Sequence, residues 1–179
     1  MTSSFDERMR SVWTWQRTAA RALDLFEREV SEQPNRHLDT RWATTEQELL
    51  GQIGHCRSEL ENFALLSHWA IFEEFVNDWL IRRTHWAGVS LESDDRVRKG
   101  LSRRIQHWGF EEKLIALKPI LGDKLAMELN ALRRWRDWVA HRKQESRPES
   151  LDFDQAQSLM IAALTRLELM PVNAAEVLL

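Results

Sequence analysis

The chain has 179 residues, of which 43% are apolar and 30% are charged, and its formal net charge is −3. These values fit one globular domain with a full core, and they exclude a disordered chain, a fibrous chain and a protein that is basic over its whole surface. A single cysteine, Cys56, excludes a disulfide framework, and only six Gly and four Pro argue against a β protein with many turns.

No stretch of the sequence approaches the ~18 consecutive apolar residues of a membrane-spanning helix. The first residues also lack a basic segment that leads into an apolar one, as a signal peptide would have. We therefore expect a cytoplasmic protein that makes no contact with a membrane.

A first helix is predicted over about residues 5–32, because apolar residues recur there at spacings of three and four. Pro34 and Asn35 end this helix. The residues expected on its apolar face are Val12, Trp15, Ala19, Ala22, Leu23, Phe26 and Val30.

A second helical stretch begins with a possible capping box, Thr45-x-x-Glu48, and continues to about residue 86. Gly51 and Gly54 interrupt it, which leaves open one long bent helix or two helices broken near those glycines. Its second half is apolar over a broad arc, which predicts a central position in a bundle. The residues of that arc are Phe63, Leu66, Trp69, Ala70, Phe72, Phe75, Val76, Trp79 and Leu80.

Four more helices are predicted in the remainder of the chain. They cover about residues 95–107, 110–117, 124–143 and 153–169. The helix over 110–117 is expected to stop at Lys118-Pro119, since proline breaks a helical hydrogen-bond ladder. Strand alternation is absent, so the predicted fold class is all-α, an antiparallel bundle of about five to six helices in a single domain, 1–179.

Most sequence patterns of catalytic sites are absent from this chain. It has no Gly-rich phosphate loop and no G-x-S-x-G turn. It also has neither the His-x-x-x-His nor the Cys-x-x-Cys spacing of zinc ligands, so we expect no metal site and no cofactor.

One segment, Leu-Arg-Arg-Trp-Arg-Asp-Trp-Val-Ala-His over 132–141, stands apart. Arg136 and His141 are separated by four residues, Asp137 follows the arginine and Ala140 precedes the histidine. This pattern resembles the motif of the HEPN superfamily, small helical domains found in many bacterial RNase toxins and defence proteins.

The resemblance covers about residues 60–170, and residues 1–44 lie outside it. Upstream of the motif, Phe110-Glu-Glu-Lys-Leu and the run from Ile120 to Arg133 look like the usual approach to it. The stretch from Trp69 to Val76, which contains Glu73, resembles the earlier core helix of the family.

The resemblance implies a metal-independent endoribonuclease of a toxin–antitoxin or phage-defence system. Arg136, His141 and Asp137 would be the catalytic residues, and Glu73 would support them. Cleavage would proceed by attack of the RNA 2′-hydroxyl and leave a 2′,3′-cyclic phosphate. A histidine suits the proton transfers, and an arginine suits the charge that develops on the phosphate. Arg133, Arg134, Arg142, Lys143 and Arg147 would bind the RNA backbone.

Helix geometry makes Arg136 unusual. At about 100° per residue it lies about 20° from Leu125, inside the apolar arc of its helix. The guanidinium therefore has a specific partner or lines a polar cleft in the bundle, or else it reaches water while its aliphatic stem packs. His141 lies about 140° away from Arg136, so one straight helix does not direct both groups to one atom. The resemblance implies a homodimer that pools two copies of the motif, with an antitoxin or defence protein as a further partner.

Two other functions remain open at this point. A non-catalytic HEPN-like module would dimerise or bind a partner. An unrelated helical adaptor would use its nine Trp and 20 Arg residues at an interface, where both residue types are enriched.

Overall fold

The computed structural model describes residues 2–33, 36, 45–86, 94–141 and 153–169. Within these ranges 96% of the residues are helical and none is in a strand, which confirms the all-α fold class. None of the described helices is both long enough and apolar enough to cross a bilayer. The six helices seen in this part of the chain are α1 (Thr2–Glu32), α2 (Glu46–Trp86), α3 (Asp94–His107), α4 (Phe110–Leu121), α5 (Asp123–His141) and α6 (Phe153–Leu169).

The chain divides into two compact units, Met1–His68 and Trp69–Leu179. The first unit contains α1 and the first half of α2. Its buried cluster consists of Val30, Leu49 and Ile53, and three partly buried residues pack against this cluster: Leu23, Phe26 and Leu50. Helical periodicity therefore predicted correctly that Leu23, Phe26 and Val30, in the second half of α1, face the core of this unit.

Two residues expected on the apolar face of α1 are exposed instead. Trp15 is 50% exposed, and Ala22 is exposed as well. Met9 and Val30 are buried on this helix. On a helical projection Trp15 lies about 60° from Val30 and about 120° from Met9, so it falls outside the buried arc.

The predicted capping box at the start of α2 is present. The Thr45 backbone N–H donates to Glu48 Oε2 over 3.1 Å, and the Glu48 N–H donates to Thr45 Oγ1 over 3.2 Å. Helix α2 then runs unbroken through Gly51 and Gly54. Of the two arrangements left open for this stretch, the structure has the single long helix.

The second unit has an aromatic core between α2 and α4. The Trp69 ring lies 5.6 Å from Phe72 and 4.6 Å from Phe110, centroid to centroid. Helix α4 contacts α5 and α6, and α5 contacts α6. Trp79 Nε1 also donates to the Leu167 carbonyl of α6 over 3.0 Å. The second half of α2 is thus central to this unit, as its apolar arc predicts.

Two members of that predicted arc are nevertheless exposed. Phe63 is 55% exposed and Ala70 is exposed. The two residues are seven positions apart and so lie about 20° from each other on α2. They belong to one solvent-facing stripe of the helix, which the arc drawn from the sequence was too broad to exclude.

Helix α4 is longer than predicted, because it continues through Pro119 to Leu121. Proline has a helix-compatible φ, and its missing N–H removes only one hydrogen bond from the last turn. The end of the helix is instead set by Gly122, whose φ of 79° suits glycine. The Gly122 N–H donates to the Lys118 carbonyl over 2.8 Å.

Candidate functional site

Helix α5 presents the Arg-Asp-x-x-Ala-His motif. Its inner face is buried through Leu125, Ala126, Leu129, Leu132 and Trp135. These contacts fix the rotation of the helix. Arg133, Arg136 and Asp137 consequently lie at the edge of the buried face, where all three are half-buried.

Arg136 is held by two carboxylates. Its Nη2 lies 3.2 Å from Glu73 Oε2 on α2, and its Nη1 lies 2.9 Å from Asp137 Oδ1. The guanidinium carbon is 5.3 Å from the centroid of the Trp69 ring. With 22% of its side chain exposed, Arg136 has specific partners within the protein, which was one of the arrangements that the helix geometry left open.

Glu73 accepts two hydrogen bonds and forms a further ion pair, with partners on three helices of this unit. Trp69 Nε1 donates to Oε2 over 3.2 Å, and this oxygen also accepts from Arg136. Lys113 Nζ of α4 lies 3.7 Å from Oε1. The Lys113 side chain is only 3% exposed, so the Glu73 carboxylate is the counter-ion of a buried ammonium group.

Asp137 connects Arg136 to a second arginine. Its Oδ2 lies 3.0 Å from Arg133 Nη1. The Nη2 of Arg133 in turn lies 3.4 Å from Glu111 Oε2, and its Nε donates to Asn130 Oδ1 over 3.0 Å. The guanidinium of Arg133 is therefore engaged within the protein.

These contacts link six side chains of alternating charge into one row of ion pairs, which we call the charge chain. It contains three cations and three anions, so its formal charge is zero. Lys113, at the buried end, has a side chain that is 3% exposed, and Glu111, at the outer end, has one that is 64% exposed. In order from the buried end, its members are Lys113, Glu73, Arg136, Asp137, Arg133 and Glu111.

The charge chain restricts where Arg136 can point. A buried charge is tolerated only when it is paired and hydrogen-bonded, so each member depends on its neighbours in the chain. Arg136 Nε is buried and has no hydrogen-bond partner among the described residues. The position of the guanidinium is thus set by Glu73 on one side and Asp137 on the other.

His141 lies elsewhere on the surface of α5. It is exposed and is the last residue of this helix. An ideal helix places it about 7.5 Å along the axis and about 140° around it from Arg136. Arg136 and His141 of one helix therefore point in different directions, as the sequence predicts.

The residues predicted to bind the RNA backbone have different surroundings. Arg134 is exposed, whereas Arg133 is a member of the charge chain. Arg142, Lys143 and Arg147 lie outside the described residues.

The sequence-based search missed Lys113, although a signal for it exists. The buried residues of α4 are Phe110, Lys113, Leu114, Leu117 and Leu121. Lys113 occupies an apolar position of this helical period, as Arg136 does in α5. A charged residue at such a position needs a partner when it is buried, so the sequence of α4 also predicts a partner for Lys113.

Among the described residues, no group of three or more His, Cys, Asp or Glu side chains is arranged to hold a metal ion. Comparison of the chain with protein-family models, with curated proteins and with solved structures finds no match. The HEPN assignment therefore rests on the residues of the motif and stays a prediction.

Proposed function

We propose that the protein is a metal-independent endoribonuclease that acts as a homodimer in a toxin–antitoxin or phage-defence system. The observation that carries this proposal is the fixed guanidinium of Arg136, with the exposed His141 five residues further along the same helix. A basic group held in place and a titratable group open to solvent are the two components that metal-free RNA cleavage requires.

The chemistry uses the nucleophile that RNA itself carries. The 2′-hydroxyl oxygen attacks the adjacent phosphorus, and the bond from phosphorus to the 5′ oxygen breaks. A neutral His141 accepts the 2′-hydroxyl proton, and a protonated His141 from the second protomer donates a proton to the leaving 5′ oxygen. The products are a 2′,3′-cyclic phosphate and a 5′-hydroxyl.

Arg136 would stabilise the negative charge that develops on the phosphate oxygens. A guanidinium has five N–H donors, and the two carboxylates that hold it do not use all of them. Glu73 and Asp137 would act as positioning residues, because they contact the arginine and not the substrate.

Cleavage of RNA in excess EDTA, with analysis of the product ends, tests this proposal. The wild-type protein should cut RNA but not DNA, and Arg136→Ala and His141→Ala should each remove most of the activity. The double variant should be little worse than either single variant, because groups that act in one step are strongly non-additive. His107→Ala, a change at an exposed histidine of α3, is the matched control and should keep full activity.

Two results would overturn the mechanism. Products that end in a 3′-hydroxyl would show that the 2′-hydroxyl is not the nucleophile. Activity that depends on added magnesium would show that the protein needs a metal.

A non-catalytic dimerisation or partner-binding module is the second candidate. The observation in its favour is that both Arg133 and Arg136 already have carboxylate partners within the protomer. An intact dimer that cleaves no RNA would support this candidate. A monomer of 21.2 kDa at micromolar concentration would count against both the module and the pooled active site.

A further inference from the structure

Four arginines form a single solvent-facing stripe along α1, in the part of the chain that the HEPN resemblance leaves out. Their spacings are seven, four and seven residues, which place them within about 40° of one another on the helix. All four are exposed. We call this feature the arginine stripe, and its members are Arg10, Arg17, Arg21 and Arg28.

The arginine stripe lies on the side of α1 opposite to its buried face. Met9, Leu23 and Val30 mark the buried face, and its centre is about 130° away from the stripe. At about 1.5 Å per residue the stripe extends over about 27 Å of the helix axis. The guanidiniums therefore form a linear row that projects away from the core of the unit.

Most of the row lies away from acidic residues within the described part of the chain. None of its four arginines forms an ion pair there. Arg10, Arg17 and Arg21 lie within residues 8–23, which contain no Asp or Glu, whereas Glu29 and Glu32 follow Arg28. Asp24 and Glu27 lie close by in sequence, but Arg57 of α2 contacts both, at 2.8 and 2.6 Å. An unpaired row of this kind attracts a linear polyanion.

An aromatic ring flanks the row. The Arg17 guanidinium carbon lies 4.6 Å from the centroid of the half-buried Trp13 ring. Guanidinium planes and aromatic rings are the surfaces on which the bases of single-stranded nucleic acids stack. A row of phosphate-binding groups thus has a stacking surface beside it.

We propose that the arginine stripe is a binding surface for the phosphate backbone of single-stranded RNA. The choice of RNA over other polyanions rests on the proposed function. An anionic membrane fits less well, because the apolar face of α1 packs against Leu49 and Ile53 and cannot enter a bilayer. A folded acidic protein also fits less well, because a row of charges over about 27 Å matches the regularly spaced phosphates of an extended strand.

The test measures binding without cleavage. The probe is a fluorescent single-stranded RNA of about 20 nucleotides, longer than one typical binding site, that carries 2′-O-methyl groups throughout and so has no nucleophile. Fluorescence anisotropy compares the wild-type protein with R10Q/R17Q/R21Q, in which glutamine keeps a helix propensity close to that of arginine. Circular dichroism confirms that the helix is retained.

The matched control is R82Q/R103Q/R104Q, which removes three exposed positive charges from α2 and α3. The stripe variant should bind the RNA about tenfold more weakly or worse. Its slope of log K against log [salt] should become less negative by about 2, because three phosphate contacts are lost. The control should weaken binding by less than about threefold, the effect of net charge alone.

Equal weakening by the two triple variants would overturn the proposal, because binding would then follow net charge. Binding of the wild-type protein to phosphatidylserine vesicles that is lost in the stripe variant, with RNA binding unchanged, would also overturn it in favour of a membrane. Failure of the proposed function is distinguishable: it would leave binding of the methylated RNA intact and abolish only cleavage of unmodified RNA.

Discussion

The two compact units use the same kind of ion pair in different surroundings. In the first unit Arg57 contacts Glu27 at 2.6 Å and Asp24 at 2.8 Å, with side chains that are 36% to 64% exposed. In the second unit the contacts of Arg136 are slightly longer, at 2.9 and 3.2 Å, but its side chain is only 22% exposed.

From this difference we expect burial, and not distance, to decide how much each ion pair matters for stability. Exposed pairs contribute about 0–1 kcal/mol, because water screens them and long side chains lose entropy. A half-buried chain of charges does not necessarily add stability, but removing one member leaves another charge without its partner. The second unit therefore depends on its charges far more than the first one does.

The largest expected effect is on the aromatic core of the second unit. Trp69→Ala should lower the free energy of unfolding by about 3–5 kcal/mol, because it opens a cavity beside Phe72 and Phe110. It also removes the ring below Arg136 and a donor to Glu73. Urea unfolding followed by circular dichroism measures the loss.

Trp15→Ala in the first unit is the matched control for this change. Trp15 is 50% exposed, so its loss should cost well under half as much as the loss of Trp69, which is 1% exposed. Equal losses for the two tryptophans would contradict the expectation that burial determines the cost of each substitution.

The charge chain gives the next largest effect. Glu73→Leu should destabilise the protein by about 3 kcal/mol, since it leaves the ammonium of Lys113 buried without a counter-ion. Adding Lys113→Met should recover most of that loss, because the unpaired charge is then removed. A double-mutant cycle of unfolding free energies measures the coupling.

Lys124→Met supplies the control for the cycle. The Lys124 side chain is 90% exposed, and its Nζ lies 4.0 Å from Glu128 Oε1. This change should not rescue Glu73→Leu. If Lys113→Met fails to rescue it as well, the Glu73 carboxylate stabilises the fold through Arg136 and Trp69 alone.

The charge chain also shows how far the sequence could predict the site. Helical periodicity predicted the all-α fold and the unusual position of Arg136, and the Thr45-x-x-Glu48 motif predicted the capping box, because these features depend on neighbours in sequence. Glu73 is 63 residues away from Arg136, and only the family resemblance predicts a supporting role for it. Lys113, which pairs with Glu73, is 23 residues away from Arg136 and was not predicted. Only the packing of three helices brings these side chains together. Their pairing therefore needed the structure.

The errors in the fold have a similar origin. The exposure of Trp15 and Phe63 depends on how wide an arc the neighbouring helices cover, which helical periodicity alone does not give. Pro119 does not end α4, because proline has a helix-compatible φ and removes only one hydrogen bond from the last turn. The helix ends three residues later, where Gly122 has a positive φ.

A smaller effect, dependent on pH, is expected in the first unit. His68 is fully buried, and burial lowers its pKa below the ordinary value of 6.5, while hydrogen bonds to the backbone of Ala64 and Met9 act in the opposite direction. The unfolded chain then binds a proton that the folded protein excludes. This stabilising contribution is complete above pH 6.5 and declines as the pH falls from there towards the lowered pKa.

Thermal or urea unfolding between pH 7.5 and pH 5 measures this contribution. The slope from one histidine is at most about 1.4 kcal/mol per pH unit. His68→Gln should remove this part of the slope, whereas His107→Gln, at an exposed position, should leave it unchanged. A slope that persists in His68→Gln would assign the pH dependence to other groups.

The smallest expected effect is at His141. This side chain is exposed at the end of α5, so His141→Ala should change the free energy of unfolding by no more than about 0.5 kcal/mol. Trp135→Ala on the same helix, where the side chain is 2% exposed, is the destabilising counterpart at about 3–5 kcal/mol. Urea unfolding of both variants gives the comparison. If His141→Ala lost stability on the scale of Trp135→Ala, the histidine would be structural, and a loss of RNA cleavage in this variant would no longer indicate proton transfer. A stable but inactive His141→Ala would instead separate chemistry from folding within one helix, since Arg136, Asp137 and the charge chain would remain in place.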